Sequence, residues 1–157
     1  MTDDPLALPA LRLRHEAALG MVSLAVAEAQ ARDEPQCVTI VDIGGVVIAQ
    51  LRMDGARLNA LAISQTKART AASIFAPSGP SDCDLDVALA CGGLQTGLIG
   101  GLPIYLDGML VGGIGVSSGP AEIDLACAKA AFALSRRLHH APSPMIAVRT
   151  QHRGSQK

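Results

Sequence analysis

From Leu11 onward, apolar residues recur at helical spacing: Leu11, Ala18, Val22, Ala25, Val26 and Ala29 fall on one stripe, with His15 as its polar member. Gly20 is the single breaker between residues 11 and 32, so the spacing predicts a first helix over that stretch. Leu13, Leu19, Met21 and Leu24 occupy other faces, as expected of a helix covered on two sides. The pattern then changes. Residues 37–43 (Cys-Val-Thr-Ile-Val-Asp-Ile) are β-branched and end at Gly44-Gly45, and a second such run follows from Val46 to Met53. Two strand-like runs around a Gly pair predict a hairpin with a two-residue turn at positive φ.

Helical spacing returns from Arg57 to Phe75 and must stop ahead of Pro77. Ser81, with Asp82, Asp84 and Asp86 behind it, reads as the capped start of a short helix ending at Gly92-Gly93. A second hairpin follows over 103–117, with Asp107-Gly108 between its apolar runs. Pro120 suits the first position of a last helix, which runs through Ala133 to Arg136, Arg137, His139 and His140. Hairpins impose antiparallel pairing. The expected fold is therefore α/β (α+β): an antiparallel four- or five-stranded sheet from two hairpins, flanked by helices. Residues 1–10 read as an N-terminal lead-in, 11–141 as the domain, and 142–157, with Pro, Gln, Gly and Ser, as a loose tail.

Composition narrows the function. The chain has 157 residues, 49% apolar and 17% charged, which is oily for a lone small domain and points to a second copy covering part of the surface. Net charge is −1 and aromatics are 2%, so neither the basic field nor the stacking rings of a nucleic-acid binder is present. No apolar run approaches a membrane span, and Met1-Thr2-Asp3-Asp4 lacks the basic start of an export signal, so a cytoplasmic location is expected. Cys37, Cys83, Cys91 and Cys127 form no C-x-x-C pair and read as reduced structural thiols.

Several residues are candidates for a site. Lys67 interrupts the apolar line Ala60, Ile63, Ala71, Ile74, where an ammonium needs an anion: a ligand's carboxylate or a structural acid. Ser117, Ser118 and Gly119 open the last helix, whose amides suit a carboxylate or phosphate, and Glu122 and Asp124 in its first turn either cap it or face the same pocket. Asp42 is placed to cap turn amides or to act chemically, and Arg52 to meet ligand charge or pair with Asp54. Gly112, Gly113 and Gly115 match neither a phosphate loop nor a dinucleotide fingerprint, and close packing explains them better.

Five segments in order, Val38–Gly45, Arg52–Ala56, Lys67–Ala71, Gly100–Ile104 and Val111–Gly119 followed by Glu122 and Asp124, resemble the GlcG/HbpS-like family over about residues 11–138. That family is also found as the C-terminal domain of PduO-type cobalamin adenosyltransferases. The resemblance implies a profilin-like fold, homo-oligomers built from dimers up to octamers, and binding of heme or a related tetrapyrrole, with His15 as candidate iron ligand and Lys67 as leading ligand contact. It does not extend to cobalamin adenosylation, since the adenosyltransferase domain is not part of the match. The alternative reading is a small lyase, hydratase or isomerase for a carboxylate-bearing metabolite. His139, His140 and His152 are expected to be solvated or to complement a helix end.

Overall fold

The computed structural model describes residues 10–80 and 85–134. In chain order they form α1 (His15–Ala31), β1 (Cys37–Asp42), β2 (Val47–Arg52), α2 (Ala60–Ile74), α3 (Leu85–Ala90), β3 (Gly101–Leu106), β4 (Met109–Ser117) and α4 (Ala121–Ala130), which tightens into a 3-10 turn at Ala131–Leu134. The strands make one antiparallel four-stranded sheet in the order β2-β1-β4-β3. The Arg136 to His140 helix end, His152 and the tail lie outside the described residues.

Helices cover both sides of the sheet. Val38 and Ile40 of β1, with Ile114 and Val116 of β4, pack with Ala18, Met21, Val22, Ala25 and Ala29 of α1 and Cys127 and Ala128 of α4. The other side of β1 presents Cys37 and Val41 to Ala60, Ala68 and Ala72 of α2. β1 is therefore buried on both faces, which is why its sequence is nearly continuous in apolar residues. Within the chain α1 is buried along one face: Leu19 is 56% exposed.

The glycines of β4 decide how closely α2 sits. A Cβ at Gly113 would strike the Ala68 carbonyl, and one at Gly115 the Ser64 carbonyl, so the strand offers a channel without side chains in which α2 lies. Thr39 and Ser64, buried there, answer each other with their hydroxyls 2.7 Å apart, and Gln50 Nε2, from an exposed residue of β2, donates to Thr39 Oγ1 at 2.9 Å.

The two hairpins turn differently. Asp107 and Gly108 both have positive φ (50° and 78°), the two-residue primed turn expected of Asp-Gly. Between β1 and β2 the Gly-Gly pair does not form such a turn. The loop spans four residues, because Asp42 Oδ1 accepts from both Gly44 N and Val46 N at 2.9 Å and holds it open. Pro120 precedes α4 as its cap, with ψ 150°, and does not occupy its first turn. α2 ends at Phe75 in the left-handed region (φ 61°), two residues before Pro77.

Candidate functional site

Lys67 points from α2 to the C-terminal end of the central strand β4 and is 3% exposed. Its ammonium donates to Asp124 Oδ2 at 2.7 Å and to the Val116 carbonyl at 2.9 Å. Asp124 comes from the first turn of α4, and its Oδ1 accepts from Gly119 N at 3.1 Å. Burial pushes the Asp124 carboxyl above its ordinary value, opposed by the Lys67 ammonium and the Gly119 amide. The fold thus brings together Lys67, Gly119 and Asp124. Ser117 is buried beside them, and Ser118, at φ 126°, accepts from Arg57 N through its hydroxyl. Gln36 adds a fully buried amide whose nitrogen and oxygen have no partner among the described residues. Glu122 does not join this group; it faces solvent.

Arg52 and Asp54 are both exposed, and among the described residues no ion pair joins them. The expected pair is absent because both side chains sit at an open strand end, where water competes on equal terms. Asp42 caps the β1-β2 turn with the two hydrogen bonds given above, and its side chain also borders a cleft.

That cleft, of about 610 Å³, lies between the segment leading into α1 and the β1-β2 end of the sheet. Leu11, Ile43, Ile48 and Val111 supply apolar wall, and Arg12, Arg14, His15 and Glu16 its charged rim. The His15 side chain is 73% exposed at the start of α1, with Nδ1 3.3 Å from Glu16 Oε2. Its other ring nitrogen has no partner among the described residues. Arg14 is tied to Glu16 at 2.8 Å, while Arg12 has no carboxylate in ion-pair range among them. Glu16 is held below the usual carboxylate range by its backbone hydrogen bond at the helix start and by Arg14.

A second cleft, of about 460 Å³, opens on the other side of the same turn, between Gly44-Gly45, α2 and the segment after α3. Arg69 reaches into it. The sequence marks this residue only as part of a motif, because nothing local shows that its helix face meets the turn. Cys37 and Cys127 are buried thiols, the latter pushed up to about 11 by burial, and Cys91 is half-buried in this second cleft. Cys83 lies outside the described residues. No group of three or more His, Cys, Asp or Glu side chains is placed to hold a metal among the described residues, and no described helix is long and apolar enough to cross a membrane.

The family model for "Haem degrading protein HbpS-like" matches residues 13–133. Protein GlcG of Escherichia coli K12 is 33% identical over 108 residues, covering 67% of this chain and 81% of the relative. Corrinoid adenosyltransferase PduO of Salmonella typhimurium is 32% identical over 116 residues, but the match takes in only 34% of that protein. Among solved structures, the PduOC:heme complex superposes with a TM-score of 0.72 at 28% identity, covering 78% of this chain and 94% of the other. HbpS does so with a TM-score of 0.74 at 30% identity, covering 82% and 94%.

Proposed function

The chain belongs to the HbpS-like family, and we propose from that membership and from the cleft at the start of α1 that it binds heme, with His15 as the nitrogen donor that would hold the iron. The observation that carries the reading is the His15 imidazole: exposed at the mouth of an apolar-walled cleft, with one nitrogen beside Glu16 and the other without a partner among the described residues. A carboxylate next to Nδ1 favours the tautomer that leaves Nε2 unprotonated, which is the form that ligates iron. The residues present fit the group in three respects: a nitrogen donor, aliphatic walls for the macrocycle, and the cation of Arg12 for a propionate. Bound heme would supply an iron centre open to redox chemistry and small ligands. The protein's part is to hold the imidazole, shield the ring and neutralise the carboxylates.

The cleft is open, and apolar side chains around it and elsewhere stay exposed, Ile43 at 56%, Val46 at 62%, Phe75 at 63% and Leu58 at 79%. We infer that a second copy covers part of this surface, as the apolar composition also suggests. Light scattering at micromolar concentration would then give a mass of at least two chains.

Heme titration followed at the Soret band tests the site. The wild-type protein should saturate. His15→Ala should shift the band and weaken binding at least tenfold, while far-UV circular dichroism stays unchanged because His15 is exposed at the first position of its helix. Identical heme spectra and affinity in the two proteins would remove His15 from the site.

A further inference from the structure

We propose that the second cleft, around Arg69, is a separate binding site for a small organic acid with an apolar body. Arg69 is fixed in place. Its Nε donates to the Gly45 carbonyl at 2.9 Å, and its stem lies against Gly45, where a Cβ would come within 3.3 Å of Arg69 Cγ. Gly45 also has φ 77°, so the turn that receives the arginine needs glycine on both counts. With Nε used, the terminal nitrogens of the guanidinium have no partner among the described residues. A half-buried guanidinium held this way presents a planar pair of donors to a carboxylate, at little cost in side-chain entropy.

The rest of the cleft fits the same ligand. Among the described residues no acid lines it; Ile43, Val46, Ala72 and Leu94 make an apolar wall, and Gln95 adds an amide that donates to Ser73 Oγ at 2.9 Å. A volume of about 460 Å³ is in the usual range for small-molecule sites, roughly 300–1,000 Å³. A guanidinium together with an aliphatic wall selects a carboxylate with a hydrocarbon tail over a bare inorganic anion.

Hexanoate is a suitable probe, with hexan-1-ol and inorganic phosphate as controls. In calorimetric titration of the full chain, hexanoate should bind saturably, and Arg69→Met should weaken it at least tenfold, about 1.4 kcal/mol. Hexan-1-ol and phosphate should each bind at least tenfold more weakly than hexanoate. Cys91 gives a readout on the unmutated protein, which matters if Arg69→Met disturbs the turn: hexanoate should slow its alkylation by iodoacetamide, followed by peptide mass spectrometry, at least fivefold. Repeating the titration on heme-loaded protein separates a free acid from a heme propionate as the carboxylate that Arg69 meets. Retained hexanoate affinity supports a separate site, and its loss reassigns Arg69 to heme. Absence of saturable hexanoate binding to the wild-type protein, or equal binding of phosphate, overturns the proposal.

Discussion

The molecule holds two concentrations of charge that differ in almost every physical respect. At one end of the sheet Lys67 and Asp124 are each 3% exposed, 2.7 Å apart, and surrounded by backbone. At the start of α1, Arg12, Arg14, His15 and Glu16 stand in water around an open cleft. In the buried group the two charges answer each other: the ammonium has a carboxylate and a carbonyl, and the carboxylate has an amide. None of the clefts described above is lined by Lys67. The exposed group leaves an imidazole nitrogen and the Arg12 guanidinium without partners among the described residues. A charge that looks out of place in a sequence is thus a guide to where the fold has spent an internal partner, whereas the groups free to meet a ligand look ordinary.

The sharpest way to break this contrast is to remove one buried partner. Asp124→Ala strands the Lys67 ammonium, and truncating one side of a buried pair costs about 3–5 kcal/mol. Chemical denaturation should show a loss of that size. Replacing both, Lys67→Met with Asp124→Leu, leaves no uncompensated charge and should recover at least half of it. A double variant as unstable as Asp124→Ala would mean that the hydrogen bonds to Gly119 and Val116 matter more than the pair itself.

Lys67→Met alone gives a pH signature. Burial already raises the Asp124 carboxyl, and the ammonium is what restrains it. Without Lys67 the folded value climbs further above the unfolded one, so in that window the folded protein holds a proton that the unfolded chain has released. Such a group adds stability below its unfolded value and loses it as pH rises through the folded one. The variant should therefore be closest to wild type in mild acid and fall behind progressively toward neutral pH. A gap constant across that range would show that Asp124 stays ionised without its partner.

Much of the fold is legible in the chain because its signals are local. The Asp107-Gly108 turn, the stop before Pro77 and the apolar stripe of α1 depend on residues near one another in sequence. The Gly113 and Gly115 packing was legible too, though the element they admit, α2, was not. The Gly44-Gly45 turn misled because the Asp42 side chain takes over two amides that a tighter turn would leave to the strands. The site was less legible. Lys67 stands out by the chemistry of its position, which leaves open whether a ligand or a structural acid answers its charge; in the fold Asp124 does so. That Asp124 and not Glu122 answers it depends on which side of α4 faces the sheet. Arg69 and Arg12 carry no local mark at all, since their importance comes from a turn and a cleft wall contributed by distant segments.

The smallest expected effect on stability lies at the exposed cluster, where it is also the most informative about function. Arg12 makes no ion pair among the described residues and its side chain is exposed, so Arg12→Gln should leave the unfolding free energy within about 0.5 kcal/mol of wild type. In the proposed site its charge would act on a heme propionate through solvent. Arg12→Gln should therefore weaken heme binding by roughly two- to fivefold at low ionic strength, and the difference should shrink as salt rises, because screening shortens the reach of an exposed charge to about 10 Å at 0.1 M and about 3 Å at 1 M. The paired measurement sets the two regions against each other: Asp124→Ala changes stability severalfold more than Arg12→Gln, yet only Arg12→Gln makes heme affinity depend less on salt. If Arg12→Gln cost more than about 1 kcal/mol of stability, the cluster at the start of α1 would be part of the scaffold. A heme affinity equally salt-sensitive with and without Arg12 would place the propionates elsewhere.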